Sequence, residues 1–339
     1  MKLSDRKKKI LQIVVDDYIE SAQPVSSKSI TEKHMTDISS ATVRSELATL
    51  EELGYLTQRH ASSGRVPSVE AYKLYVSELM DKGKLSSKEV NFIKSAFSEG
   101  SDNMERVVRN VTKVISDLTD YTSVSITEIN NEEKITGVKL FRFKADRALL
   151  LVATENTLIN DKTIELPEGM TNEQFDRCNN MIENTFVGKN LKDVLESGKD
   201  LCKDILEYKE LFGKITDAII DYLTEREKRV YLEGQEKIVD IPTDDDKEKV
   251  KNLLSVINSK DQLAGILKRD ENIDISVRIG KECGEGVPDD CSVVTATYSS
   301  DGKKLGTYGV IGPVRMDYQK VVSVLEGVGK ILENMIKDR

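Results

Sequence analysis

One arginine set among short hydroxyl side chains carries the densest chemical signal in this chain. Over residues 39–49 the sequence places Ser39, Ser40, Thr42, Arg44, Ser45 and Thr49 around Val43 and Leu47. With Leu50 and Leu53, those aliphatic residues recur at spacings of three and four, which puts them on one face of a helix and turns Thr42, Arg44, Ser45 and Thr49 away from it. An arginine can donate two hydrogen bonds to a guanine, and short neighbours let a helix approach base edges, so this face suits the DNA major groove. Further along, Arg59, His60 and Arg65 flank a Ser62-Ser63-Gly64 turn, a second group of cations suited to phosphates or a minor groove. The competing reading is an interaction module in which Arg44 and Arg65 are merely solvated.

Catalysis has less to stand on. The two histidines, His34 and His60, both fall in the first 60 residues, which leaves the remainder without an imidazole for Ser-His-Asp, Cys-His or zinc-histidine chemistry. Cys178, Cys202, Cys283 and Cys291 are widely spaced, contain no CxxC pair and read as reduced, buried thiols. There is no GxxxxGK[ST] loop or GxGxxG fingerprint to cradle a nucleotide. The run Asp244-Asp245-Asp246 could bind a divalent cation, yet it precedes a Lys-rich stretch, where carboxylates complement a helix dipole. The expectation is a protein that is not an enzyme and carries no cofactor or metal.

The elements that must position the arginine follow from periodicity and caps. Ile10, Leu11, Val14, Val15, Tyr18 and Ile19 form the stripe of a first helix, with Ser4 as N-cap and an end near Ala22, before Pro24. A second helix starts at Ser26 or Ser27 and runs to His34. Ser39 or Ser40 caps the third, Gly54 closes it, and Tyr55–Arg59 alternates like a strand that returns at Arg65-Val66-Pro67. Three helices and a two-stranded hairpin in this order predict an N-terminal winged helix-turn-helix over residues 1–80.

Charge agrees with that placement. The chain carries a net charge of -9, but its first 80 residues hold 11 basic and 11 acidic side chains, so the surplus of acid, 48 against 39, lies entirely beyond them. Repulsion of DNA by the acidic part would orient an encounter toward the neutral end. At 339 residues, 38% apolar and 32% charged, the chain has room for two or three folded domains and no composition of disorder. No apolar run follows the Lys7-Lys8-Lys9 cluster, and the run Ala148–Ala153 is too short to cross a bilayer, so the expected location is cytoplasmic with no membrane partner.

Beyond residue 80 the pattern alternates between classes. Residues 85–120 read as helices, then 122–129, 134–143 and 148–154 as strands that begin an antiparallel sheet. Residues 172–229 turn helical, 244–268 give a further helix, and strands resume at 273–279, 292–298 and 305–311 before a final helix over 319–336. A sheet split by a helical insertion is an α+β body. The glycines at 280, 284, 286 and 309 could rim a ligand pocket or simply punctuate turns.

The stretches Ile38-Ser-Ser-Ala-Thr-Val-Arg44, Leu50-Glu-Glu-Leu-Gly-Tyr-Leu56, His60-Ala-Ser-Ser-Gly-Arg-Val-Pro67 and Tyr72-Lys-Leu-Tyr-Val76 resemble the N-terminal domain of the HrcA family of bacterial heat-inducible transcription repressors. The likeness continues through Tyr231-Leu-Glu-Gly234, Ile279-Gly-Lys-Glu282, Ser292-Val-Val-Thr-Ala-Thr-Tyr298 and Gly309-Val-Ile-Gly-Pro-Val-Arg-Met-Asp-Tyr318, and so covers nearly the whole chain. Ala61 and Val314 stand where the family usually has Thr, and neither change removes a charge. The resemblance implies a GAF-like antiparallel-sheet domain (residues 81–166 and 230–339) with an inserted, mostly helical dimerisation domain (167–229). It also implies a homodimer on the inverted-repeat operator called CIRCE, ahead of chaperone operons, with repressor activity sustained by the GroE chaperonin. A ligand-responsive regulator with the same DNA-binding head is the alternative.

Overall fold

The computed structural model describes residues 3–58, 63–81, 83–98, 104–127, 134–154, 158–191, 193–194, 209–227, 230–240, 247–268, 274–300 and 303–337. They form an α+β protein of two compact units. One comprises Met1–Ser101, Glu105–Ile126 and Val230–Arg339; the other comprises Asp102–Met104 and Thr127–Arg229.

The first unit begins with three helices, α1 (Asp5–Ser21), α2 (Ser27–Lys33) and α3 (Ser40–Glu52). Each starts where a serine can satisfy an orphan N–H: Ser4 accepts from Lys7, Ser26 from Ser29 and Ser39 from Thr42. Gly54, at φ +81°, turns the chain after α3 in the left-handed region that a side chain would disfavour. A short hairpin follows, β1 (Leu56–Thr57) and β2 (Val66–Pro67), with Leu56 opposite Pro67 and Thr57 opposite Val66. Then come α4 (Val69–Leu74) and a π-helical turn, Tyr75–Leu79.

Next in the chain are α5 (Ser87–Ser98), α6 (Met104–Thr119) and β3 (Thr122–Thr127). The second unit follows with β4 (Ile135–Lys144), β5 (Arg147–Thr154), β6 (Leu158–Glu165), α7 (Asn172–Phe186) and α8 (Lys209–Glu227). The chain then returns to the first unit as β7 (Val230–Glu233), α9 (Lys247–Asn258), α10 (Lys260–Lys268), β8 (Ile275–Ile279), β9 (Cys291–Ser300), β10 (Lys303–Pro313) and α11 (Tyr318–Lys337).

Five strands of the first unit form one sheet in the order β7-β3-β10-β9-β8. Both of its faces are buried, and the period of two sorts them. Val294 and Ala296 of β9, with Tyr308 and Val310 of β10, face Val321, Val324 and Leu325 of α11. Val293 and Ile311 face the opposite way, toward Leu253, Val256, Leu263 and Leu267 of α9 and α10. The α11 side of this core runs without a break into Ile10, Leu11, Val43, Leu50 and Tyr72 of the N-terminal helices. Polar ties follow the same path: Arg315 donates to the Ile19 carbonyl at 3.0 Å, Lys73 pairs with Glu282 at 2.9 Å, and the Tyr72 and Tyr318 rings meet at 6.0 Å.

The sequence pattern alone leads to one sheet running from Thr122 through Thr154. The structure divides these strands: β4, β5 and β6 form a sheet of their own in the second unit. Alternation decides which face a strand buries but not which strand lies beside it. Here Val138, Leu140, Leu150, Val152 and Ile164 pack against Phe175, Ile182, Phe186, Phe212 and Ile215 of α7 and α8, a separate core. The side-chain amide of Asn179 closes the β4 edge, accepting from the Leu140 N–H at 2.7 Å and donating to its carbonyl at 2.9 Å. The second unit enters where a hairpin loop would sit, since Ile126 of β3 lies opposite Val230 of β7.

The helix expected over 244–268 is two helices. Ser259 separates them and starts α10, accepting from Gln262 N–H at 3.4 Å. Asp244–Asp246 lie outside the described residues, as do Arg59, His60, Cys202 and the part of the predicted helical stretch over 195–208. Cys178, Cys283 and Cys291 are buried thiols outside any disulfide.

One tie is set by ionisation. Glu89, at the start of α5, accepts from Lys320 of α11 and from the Ser86 N–H and hydroxyl, and these donors hold its carboxyl down at about 2. A depressed carboxyl contributes stability that is fully present above its ordinary value near 4.5 and is lost as pH falls toward about 2. Glu89→Gln should therefore lower the urea midpoint at pH 7 and flatten its decline across the interval from 4.5 to about 2, measured by urea denaturation at stepped pH.

Candidate nucleic-acid interface

The α3 helix is two-faced. Val43, Leu47 and Leu50 are buried in the core of the N-terminal helices, while Ala41, Arg44 and Ser45 are exposed, with Thr42, Ala48 and Thr49 half-buried beside them. Leu53, which its spacing assigns to the buried stripe, is instead exposed as the helix C-cap. Arg44 therefore stands between Ala41 and Ala48 at three and four residues' distance, flanked by side chains too small to block close approach. Among the described residues it forms no ion pair.

The hydroxyls around it divide into structural and free groups. Ser39 caps α3 and its hydroxyl also lies 2.9 Å from that of Thr42. Ser40 is 3.1 Å from the Ser27 hydroxyl, a bond that fixes the start of α3 against the start of α2. Thr49 donates back to the Ser45 carbonyl at 3.1 Å. Ser45 alone of the six hydroxyl and arginine positions shares with Arg44 an exposed side chain without a hydrogen bond of its own among the described residues.

Acidic groups nearby are held by other cations. Glu46, partly buried on α3, pairs with Lys7 at 2.8 Å and Arg6 at 3.8 Å from α1, which leaves Arg44 unneutralised. Arg65, at the base of the hairpin, turns inward: its guanidinium meets Glu51 of α3 at 2.8 Å, and its backbone pairs with Val25 on both sides, N–H to carbonyl at 2.8 and 2.9 Å. Gln58 ties the hairpin across its width by donating to the Ser63 carbonyl at 2.9 Å. Arg59 and His60, the other cations assigned to the hairpin, lie outside the described residues. His34 contacts Asp17 at 2.9 Å, bracing α2 on α1.

Two further cations escape the periodicity argument that found Arg44. Ile30 is the only buried residue of α2, so Lys28 and Lys33 project from it into solvent. Lys28 is 79% exposed and its contact with Glu32 is long, 3.7 Å. Their signal in the sequence is the shortness of α2's apolar stripe.

Gly64 sits where the hairpin crosses the loop after α1. A Cβ there would come within 2.5 Å of the Val25 carbonyl oxygen, so the backbones touch with no room for a side chain. Among the described residues no group of His, Cys, Asp and Glu is arranged to hold a metal ion, and no helix is long and apolar enough to cross a membrane.

A family model described as the HrcA protein C terminal domain matches residues 105–322. Proteins named heat-inducible transcription repressor HrcA are 34% identical over 335 residues in Brevibacillus brevis, covering 98% of both chains, and 36% identical over 348 residues in Clostridium tetani, covering 100% of this chain and 97% of that one. A crystal structure titled as a hypothetical protein shares the fold, with a TM-score of 0.68 at 22% identity over 99% of both chains.

The division of hydroxyls is testable by stability. Ser39→Ala removes a helix cap and should cost ~1 kcal/mol in urea unfolding, whereas Ser45→Ala should stay within ~0.5 kcal/mol of the parent. Gly64→Ala forces backbone apart and should cost ~1–3 kcal/mol in the same assay.

Proposed function

The chain belongs to the HrcA family of heat-inducible transcription repressors, and on that premise we propose that residues 1–80 act as a winged helix-turn-helix that reads an operator through α3. The observation that carries this reading is Arg44, exposed, unpaired among the described residues and flanked by Ala41, Ser45 and Ala48. A planar fork of N–H donors on a helix face without bulky neighbours is the group that distinguishes guanine in a major groove. Ser45 is the adjacent hydroxyl free to contact a base edge or phosphate. Ser39, Ser40, Thr42 and Thr49 then serve to hold the helix in shape, with Thr42 able to reach a phosphate from the first turn.

Lys28 and Lys33, with Arg59, His60 and Arg65 of the hairpin, supply contacts to phosphates that position the head without reading sequence. Arg65 is a restrained member of this group, since Glu51 neutralises it in the free protein.

The protein works as a homodimer, with the inserted unit between β3 and β7 as the dimerising part and the five-stranded sheet with its helices as a GAF-like body. Two α3 helices related by a two-fold axis enter successive major grooves, so the operator is an inverted repeat with half-sites one helical turn or a multiple apart. By its family this is the CIRCE element ahead of chaperone genes, and the GroE chaperonin sustains the active repressor. When heat occupies the chaperonin with unfolded proteins, repression falls. A repressor of marginal stability suits such control, because a loss of ~1–2 kcal/mol changes the folded fraction several-fold.

Gel-shift titrations separate the roles. Arg44→Ala should lose ~1–3 kcal/mol on the matched operator and little on a scrambled duplex, whereas Lys28→Ala should weaken both alike. An unaltered operator affinity for Arg44→Ala would refute the reading. Glu51→Gln frees Arg65 and should tighten binding to scrambled duplex, steepening the slope of log affinity against log salt by about 0.9.

A further inference from the structure

The free edge of the five-stranded sheet borders a groove that the DNA-binding reading does not use. Its volume is about 390 Å3, and all four residues of β7 line it, together with Arg109 of α6 and the α9–α10 junction at Asn258, Lys260 and Leu263. β3 pairs with β7 on one side, and among the described residues no strand pairs with the other. An unpaired edge offers backbone N–H and C=O groups to whatever occupies the space beside it.

The groove gathers charged side chains from α6, β7 and α10. Arg109 and Lys260 face one groove and, among the described residues, neither forms an ion pair. Arg109 lies 5.8 Å from the centre of the Tyr231 ring, a contact that orients the guanidinium while leaving its positive charge and N–H donors available. Glu233 adds one carboxylate to the same lining, and the amides of Gln235 and Asn258 can donate or accept. Ile257 and Leu263 supply apolar wall. Two cations, one anion, two amides and an apolar wall around a small concavity make the lining of a polar-metabolite site.

We propose that this groove binds a small anionic metabolite, one that presents a phosphate or carboxylate to Arg109 and Lys260 and an ammonium or hydroxyl group to Glu233. The class is set by charge: the lining is net positive where the region beyond residue 80 carries more acid than base, 48 against 39. Binding at this groove is independent of whether α3 reads DNA.

The test is isothermal titration calorimetry on the full-length protein with O-phospho-L-serine, which carries all three groups, and with inorganic phosphate as the minimal anion. The expected result is saturable one-to-one binding of O-phospho-L-serine, weakened about tenfold or more by Arg109→Gln and by Lys260→Gln, and unchanged by Lys94→Gln on α5. Glu233→Gln should narrow the preference for O-phospho-L-serine over inorganic phosphate. Circular dichroism melts establish that each variant is folded. Lys260→Gln, which disturbs no ring contact, decides the matter should Arg109→Gln unfold through loss of its place over Tyr231. Absence of saturable binding up to about 10 mM, or equal affinity in folded Lys260→Gln and parent proteins, would overturn the proposal.

Discussion

Burial of Val43, Leu47 and Leu50 is the constraint that decides which face α3 turns to solvent. A helix cannot rotate about its axis once three aliphatic side chains on one side are seated among Ile10, Leu11, Val14 and Ile30. Rotation by one residue would expose about 100° of apolar stripe and bury Arg44 without a partner, and each of those changes is costly. The direction of Arg44 is thus decided by residues that never meet a ligand. Glu46 completes the arrangement by pairing with Lys7 and Arg6, so the acidic group nearest to Arg44 in the helix is already occupied.

The same core has a second consequence. It does not stop at the edge of the N-terminal helices but continues through Tyr72 to Tyr318 and α11, and from there to one face of the five-stranded sheet. Arg315 and Lys73 tie the two regions with a hydrogen bond and an ion pair. Loosening of the sheet or of α11 removes packing from beneath α1 and α4, so the N-terminal helices share the stability of the body. The second unit, with its own sheet and its own core of Phe175, Ile182, Phe186 and Phe212, carries its packing separately.

Much of the N-terminal region was legible because its signals are local. Ser4, Ser26 and Ser39 cap where a hydroxyl precedes an apolar stripe, and Gly54 turns the chain where the stripe of α3 ends. What escaped sequence reading depends on distant partners. Arg65 looks like an exposed hairpin cation until Glu51, fourteen residues earlier, is found beside it. The strands β4 and β5 have the right alternation, but nothing in it says that they pair apart from β3. β6 carries a weak strand signal because Asn160, Asp161 and Lys162 interrupt its apolar alternation. Ser259 divides α9 from α10 with a cap that the surrounding lysines and leucines conceal. The groove beside β7 assembles residues from 109 to 263, a separation no local pattern can reveal.

On the proposed function, α3 reads base edges in a major groove, twice, in two-fold register. Methylation interference on a duplex carrying the inverted repeat tests it directly, because dimethyl sulfate blocks guanine N7 in the major groove without altering phosphates. Methylation at guanines in each half-site, at positions related by the two-fold axis, should abolish binding of the full-length protein. Binding that is indifferent to N7 methylation while remaining sensitive to phosphate ethylation would contradict it, since the contacts would then be to the backbone alone.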